Sequence, residues 1–229
     1  SPGTADAKKV LTPFKEGMAG DGLLDEGSWE VFKKYFRKPD SEYAKYFLAH
    51  LKDFQAKFGE KPVELKANRF YFAMATDAIR NDDRAALKKA QEAAANSGLL
   101  TGTTVAASMD ISWYQQKGEL DNYVKAIKEL FKIDGTASPE SKNRFAWYLY
   151  ENSDNKKQLK TGLKWINEAL NDPAASISRY AMLDTKAMLQ LKLGKTDKGI
   201  ETANMAIEVA KESGEDYSAT EEEMAKYKK

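Results

Sequence analysis

The sequence predicts an all-α protein built from stacked helix pairs, and three observations support this prediction. Apolar residues recur at spacings of three and four, which is the period of an α-helix. One such stripe consists of Tyr43, Phe47, Leu51, Phe54 and Phe58. Proline is scarce, strand-favouring residues form no alternating runs, and small residues repeat along the chain. We therefore expect about ten to twelve helices and no sheet.

Capping residues mark the predicted helix boundaries. Asp40 and Ser41 precede the aromatic stripe and Gly59 follows it, which predicts a helix between them. Ser138 directly before Pro139 has the order typical of a helix start, an N-cap followed by proline in the first turn.

Small or apolar residues recur at one position in four predicted second helices. These anchors are Ala86, Tyr123, Gly162 and Gly199, which are spaced by 37, 39 and 37 residues. The matching residues of the first helices are Met74, Ile111, Ala146 and Ala187. The polar stretch ENSDNKK before Gly162 predicts a longer turn in that pair. Because one helix pair cannot bury its own apolar face, we expect the pairs to stack.

A GKT triplet at residues 194–196 matches the end of a phosphate-binding loop. That loop requires a glycine five residues before Gly194, where this chain has Leu189 in an apolar helical run. Gly194 instead falls where a first helix turns into a second, and glycine tolerates the left-handed backbone of such a turn. Gly118 and Asn81 hold the corresponding position in earlier pairs. We interpret the triplet as an inter-helix turn.

The last helix pair has a large residue, a small residue, an inter-helix glycine and a second helix rich in small residues. These are Leu183, Ala187, Gly194, Gly199, Ala206 and Ile207. Their order resembles the tetratricopeptide (TPR) repeat, although Tyr123 and Leu130 stand where that family usually has alanine. The resemblance covers about residues 61–213. It implies a right-handed superhelical stack of TPR-like antiparallel helix pairs that serves as a binding scaffold rather than a catalyst.

A second resemblance concerns residues 26–63. This stretch is similar to the helical segment that follows the thioredoxin fold in some bacterial envelope proteins. The resemblance implies a C-terminal helical module whose upstream domain precedes Ser1, and a periplasmic or otherwise exported location, with a cytoplasmic one left open. Without cysteine, no redox residue carries over. We divide the chain into an aromatic-rich N-terminal part, residues 1–60, and TPR-like repeats, residues 61–229.

Composition disfavours several classes of partner and site. The 36 basic and 35 acidic residues leave a net charge of +1, so we expect no nucleic-acid partner. No apolar run reaches the roughly 18 residues that span a bilayer, so we expect no membrane insertion. The single histidine, His50, lacks the partners that metal or acid–base sites need, and we expect no catalytic residue, metal or cofactor. We interpret the acidic run Glu221–Glu223 as a solvated helix face or a frayed tail.

The concave surface of a TPR-like stack is lined by first helices. Residues three before, one after and four after Ala146 and Ala187 should project toward it. We therefore predict a protein- or peptide-binding site, which consists of Asn143, Trp147, Tyr150, Asp184 and Met188. Aromatic residues dominate binding hot spots, but packing between adjacent pairs is an equally open role for Trp147 and Tyr150. The surface lacks the lysine and asparagine set of chaperone-binding TPR domains.

The expected function is therefore a non-catalytic protein-interaction scaffold. Its partner is another protein, a peptide, or the upstream domain of the same protein. The alternative is an α-helical enzyme or small-ligand-binding protein with a pocket between the N-terminal helices and the repeats. Adjacent aromatic pairs such as Tyr35 and Phe36 point about 100° apart on a helix, so some N-terminal rings lie at the edge of the buried face. Core packing and an interface both remain open for them.

Overall fold

The computed structural model describes residues 20–135, 137–173 and 179–227. In this part of the chain a short 3₁₀ helix, Gly20–Leu24, precedes twelve α-helices, and no strand is present. The predicted all-α class is confirmed. The chain divides into two compact units, with the boundary between Trp113 and Tyr114.

The first unit contains five complete helices and most of a sixth. They are α1 (Glu26–Tyr35), α2 (Glu42–Ala49), α3 (Leu51–Phe58), α4 (Glu60–Arg80), α5 (Arg84–Ala95) and α6 (Gly102–Lys117). Helices α4 and α5 pack against each other as a consecutive pair, and α3 packs against α4.

An aromatic cluster forms the core of the N-terminal helices. Trp29, Phe32, Phe47, Phe54 and Phe70 are buried and in ring contact with one another. The aromatic stripes of this region are therefore mainly core. As expected from the adjacent pairs, some neighbouring rings lie outside it, including Tyr35 and Phe72, which are 49% and 43% exposed.

The stripe between Ser41 and Gly59 forms two helices rather than one. Ser41 caps the first by accepting a hydrogen bond from the Ala44 amide at 3.2 Å. His50 then leaves helical geometry, with φ −121° and ψ 30°. On a straight helix Phe47 and Phe54 would be about 10 Å apart along the axis. Because the helix breaks at His50, the two rings contact each other edge to face with centroids 4.9 Å apart. This contact favours two short helices over the single helix that the periodicity predicts.

In three helix pairs the first helix ends in the same hydrogen-bonded C-terminal motif. Gly118 and Gly194 adopt positive φ, as expected, and the amides that follow them bond back five residues, Glu119 to Tyr114 and Lys195 to Gln190. The GKT triplet is therefore a turn between helices.

In the first of these turns the left-handed residue is Asp82, with φ 55°, and the prediction of Asn81 is wrong by one position. The Asp83 amide bonds to the Ala78 carbonyl, so the turn closes one residue later than the repeat spacing suggested. Asp83 also accepts a hydrogen bond from the Ala86 amide and caps the next helix.

The second unit contains six further helices. They are α7 (Leu120–Asp134), α8 (Pro139–Asn152), α9 (Lys156–Leu170), α10 (Arg179–Lys192), α11 (Thr196–Ser213) and α12 (Ser218–Ala225). Helices α8 and α9 form one packed pair, and α10 and α11 form another. Helix α10 also packs against α8 and α9, so within this unit neighbouring pairs stack as expected.

A glycine of the second helix faces the first helix in both pairs, but only Gly199 lacks room for a Cβ. A Cβ on Gly162 would lie 3.5 Å from the Ala146 backbone, and one on Gly199 would lie 2.6 Å from the Leu191 side chain. Gly162 thus meets Ala146, as expected, although the longer turn predicted before it is wrong. Three residues join α8 to α9, as they do α10 to α11.

The polar residues of the α8–α9 turn cap helices instead of lengthening the connection. Asn155 accepts a hydrogen bond from the Lys157 amide at 2.9 Å. Buried Ser153 donates to Gln158 at 2.6 Å, and Gln158 donates to Asp121 at 2.7 Å.

One residue of the α4 core is cationic. Lys66 is only 3% exposed, and its ammonium donates to the carbonyls of Lys33 and Phe36 at the end of α1. It also lies 4.7 and 4.6 Å from the ring centroids of Phe32 and Phe70. Burial, with nearby Arg37 and Arg69, lowers the pKa of Lys66 from 10.5 to about 8.

Overpacking the last helix pair should destabilise the protein. Ala206 is fully buried in α11, so Ala206→Leu forces extra volume into a closely packed contact. We expect the free energy of unfolding, measured by urea denaturation, to fall by about 1–3 kcal/mol. Met205→Leu is the control, because Met205 is 45% exposed on the same helix. An unchanged unfolding midpoint for Ala206→Leu would contradict the assigned packing.

Lys66 should make stability rise with pH. Because its pKa is lower in the folded chain than in the unfolded chain, the unfolded chain binds the proton more tightly. The free energy of unfolding should therefore increase by about 1.5 kcal/mol between pH 8 and 9.5. Raised tyrosine pKa values, such as that of Tyr71, affect stability only above their usual value of 10.0.

Urea denaturation across this pH range tests the assignment. Lys66→Met should abolish the rise, whereas Lys61→Met on the exposed face of the same helix should retain it. Equal pH dependence in Lys66→Met and the wild type would exclude Lys66 as the source.

Candidate protein-binding surface

The five predicted site residues lie on two helices that pack against each other. Asn143, Trp147 and Tyr150 belong to α8, and Asp184 and Met188 belong to α10. Met188 is buried and the other four are half-buried. We call this surface the α8–α10 face.

Helix α12 packs against α10 and α11 next to this face. Its Met224 is 4% exposed and belongs to one apolar cluster with Met188 of α10 and Ile207 of α11. Trp147 and Tyr150 pack against the same cluster. Both rings therefore pack against residues outside their own helix pair, which is one of the two roles left open by the sequence, and a role in binding stays a prediction.

A chain of hydroxyl groups links α12 to Asp184. The Tyr180 hydroxyl donates to the Thr220 hydroxyl at 2.9 Å, and the Thr220 hydroxyl donates to the Asp184 carboxylate at 2.7 Å. Thr220 is only 1% exposed. Burial raises the pKa of Asp184, the Thr220 hydrogen bond opposes that change, and nearby Glu223 adds to it. The carboxylate is therefore an acceptor held in a largely dry environment.

Tyr150 makes the second polar contact with α12. Burial raises the pKa of the Tyr150 hydroxyl, and its hydrogen bond to the Glu223 carboxylate raises it further. Lys192 donates to the Tyr150 carbonyl at 2.7 Å, and its ammonium lies 5.5 Å from the Tyr150 ring centroid. Lys192 also pairs with Asp154 at 3.2 Å. These contacts hold the Tyr150 ring in position.

Asn143 lies in α8, one turn before Trp147. Its side-chain oxygen is buried, and within the described residues it has no hydrogen-bond partner. The acidic run was only partly predicted. Glu221 and Glu222 are solvated as expected, but Glu223 is half-buried and bonds to Tyr150.

Sequence reasoning missed the role of α12 itself. A signal was present, because Tyr217, Thr220, Met224 and Tyr227 recur at spacings of three, four and three. The high charge of the surrounding residues obscured this short apolar stripe. Its partner residues Asp184 and Met188, in addition, lie 36 residues before Thr220 and Met224 respectively.

His50 occupies the junction between α2 and α3. Its Nδ1 donates to the Tyr46 carbonyl at 2.8 Å, and its ring stacks on Tyr46 with centroids 4.1 Å apart. Among the residues described, no group of three or more histidines, cysteines or acids is placed to hold a metal ion. In the same part of the chain, no helix combines the length and apolarity needed to cross a membrane.

Two adjoining cavities lie in the first unit, between the N-terminal helices and the α4–α5 pair. Their volumes are about 680 and 550 Å³, and Lys45 and Ala93 line both. The larger is also lined by His50, Asn96 and Tyr71. Burial raises the pKa of the Tyr71 hydroxyl, and a hydrogen bond with Ser97 opposes that change. This is the location that the alternative, small-ligand function requires.

Comparison with known proteins assigns no family to the chain. No protein-family model matches it, and neither a curated protein nor a solved structure is significantly similar to it. The chemistry of the α8–α10 face and of the cavities therefore carries the functional argument.

Proposed function

We propose that this chain is a non-catalytic protein-interaction module that binds a peptide or helical segment on the α8–α10 face. One observation carries the proposal. This face holds α12, a segment from outside the two helix pairs, through apolar contacts and through side-chain hydrogen bonds to Asp184 and Tyr150. A surface with that combination has the chemistry of a helix-binding groove.

The chemistry of the face favours recognition over simple packing. Apolar contacts such as Met224 with Met188 supply most of the binding free energy, because burial scales with the apolar area removed from water. A buried carboxylate contributes little net stability, but it penalises segments that bring no donor to it. Asp184 thus adds selectivity to a surface whose affinity comes from aromatic and thioether side chains.

The wider architecture extends this proposal. Stacked pairs, close contacts at Gly162 and Gly199, and left-handed turn residues support a right-handed superhelical stack of TPR-like pairs. The resemblance of residues 26–63 supports a C-terminal helical module of a larger, exported thioredoxin-like protein. In that setting the partner is a separate protein or peptide, or the upstream domain.

Selection of helix-forming peptides from a displayed library on the full chain tests the proposal. Binders should lose affinity by a factor of about 30 to 1000 when Trp147→Ala and Asp184→Ala are combined, since both remove contacts at the centre of the face. Fluorescence anisotropy of individual peptides measures the change. Lys160→Ala, an exposed change on α9, is the matched control and should bind like the wild type.

Loss of Trp147 also removes packing, so circular dichroism melts accompany each binding measurement. Tyr150→Phe combined with Asp184→Leu provides a second variant, which removes the polar groups with less loss of volume. A library that returns no peptide sensitive to either double variant would refute the α8–α10 face as a binding site.

A second candidate function is the binding of a small ligand in the first unit, which the adjoining cavities favour. Lysines, a histidine, amide groups and an apolar floor converge there, and pockets of this size hold small organic molecules. Lys45 and Lys52 on the wall of the larger cavity outnumber its one carboxylate, Asp53, and favour an anionic compound.

Thermal-shift measurements against small organic anions test this candidate. A true ligand should raise the melting temperature of the wild type. In Lys45→Ala combined with Tyr71→Phe, the same shift should require at least ten times more ligand, which corresponds to a loss of about 1.4 kcal/mol in binding free energy. Lys89→Ala, which lines only the smaller cavity, serves as the control. Equal shifts in all variants would place the ligand elsewhere.

A further inference from the structure

Helix α12 has the geometry of a bound ligand. Tyr217, Thr220, Met224 and Tyr227 lie on one face of the segment, because spacings of three and four return to the same side of a helix. Thr220 and Met224 are buried, and Tyr217 and Tyr227 are half-buried, whereas Ala225 on another side is exposed. The segment therefore docks through one stripe.

Each contact of the stripe pairs with a group on the α8–α10 face. Thr220 supplies the hydroxyl donor that the Asp184 carboxylate accepts at 2.7 Å. Three residues later Glu223 supplies the acceptor for Tyr150, and the next residue, Met224, fills the apolar cluster beside Met188. A donor, an acceptor and a flexible apolar side chain thus meet three complementary sites in order.

The docking of α12 depends on its tether. The helix has eight residues, which is too short to be stable alone in water. It follows α11 through a four-residue connection that begins at Gly214, where φ is +73°. A short tether of this kind raises the local concentration of the segment to about the millimolar range. The segment can thus occupy the face even where its intrinsic affinity is modest.

Resting on the proposed function, we propose that α12 is an internal competitor of the partner and that its stripe defines the partner's chemistry. The partner presents a helix with a hydroxyl or amide donor, a carboxylate or other acceptor three residues later, and a thioether or aliphatic side chain next to that acceptor. It binds after α12 leaves the α8–α10 face. Competition with the tethered helix therefore sets the concentration of free partner that is needed for binding.

A fluorescein-labelled peptide of residues 214–227 is the probe, and anisotropy with the full-length chain measures its binding. Thr220→Ala combined with Met224→Ala in the protein weakens the internal competitor and leaves the α8–α10 face intact. This double variant should bind the probe about 10 to 100 times more tightly than the wild type, which is the ratio of a millimolar tether to a ten- to hundred-micromolar affinity.

Controls separate the stripe from general charge effects. Glu221→Ala with Glu222→Ala changes the exposed side of α12, and this protein should bind the probe like the wild type. A probe that itself carries Thr220→Ala and Met224→Ala should bind none of the proteins. Equal affinity of the normal probe for wild type and double variant, or no binding to either, would overturn the inference.

Hydrogen exchange of the unmodified chain gives a second readout. Saturating probe should speed amide exchange at residues 218–225, because the displaced helix is too short to remain folded alone. Exchange at Trp147 and Tyr150 in α8 should stay unchanged, because the probe replaces α12 on the same face. Unchanged exchange in α12 with bound probe would also overturn the inference. Library peptides that depend on Trp147 and Asp184 but leave α12 protected would refute this inference alone and leave the proposed function standing.

Discussion

Close contact between neighbouring helices is the constraint on which the second unit depends. A packed helix pair leaves one apolar face uncovered, and only another helix within van der Waals distance can bury it. Gly162 of α9 lies against both Ala146 of α8 and Leu189 of α10, and Gly199 of α11 lies so close to Leu191 of α10 that a Cβ there would clash. The resulting order of pairs places α8 beside α10, and the candidate binding face exists because these two helices adjoin.

Helix α12, rather than another helix pair, packs on the α10–α11 pair in the described part of the chain. Its contacts with α10 and α11 bury Met224 and leave a carboxylate, two phenols and a threonine hydroxyl at the boundary between apolar core and solvent. A surface designed only for stability would favour apolar residues at such positions, since desolvating Asp184 opposes docking. The polar chain from Tyr180 through Thr220 to Asp184 instead presents hydrogen-bonding groups that α12 satisfies through the Thr220 hydroxyl.

The first unit solves its packing problem with aromatic rings rather than small residues. Trp29, Phe32, Phe47 and Phe54 fill the space among short helices, and tilted and edge-to-face contacts favour this arrangement. Lys66 completes the cluster, because its ammonium satisfies carbonyls at the end of α1 while its stem lies along the rings. The two cavities lie outside this core, toward the α4–α5 pair.

The sequence by itself determined the all-α class, the caps at Ser41 and Ser138, and the left-handed turns at Gly118 and Gly194. These features depend on side-chain periodicity and on local backbone preference, which neighbouring residues decide. It also identified the residues of the α8–α10 face, since repeat spacing places a residue on one side of its helix. The TPR-like superhelix and the binding function remain predictions.

Only the tertiary structure decided what lies against that face. Thr220 and Asp184 are 36 residues apart, and nothing local to either residue indicates their hydrogen bond. The burial of Lys66 has the same origin, because its ammonium donates to carbonyls about thirty residues earlier in the chain. Periodicity alone does not bring such residues together, and their contact outweighs the local preference of a lysine for solvent. The break at His50 and the shift from Asn81 to Asp82 depend instead on nearby contacts, Phe47 with Phe54 and the Asp83 amide with the Ala78 carbonyl.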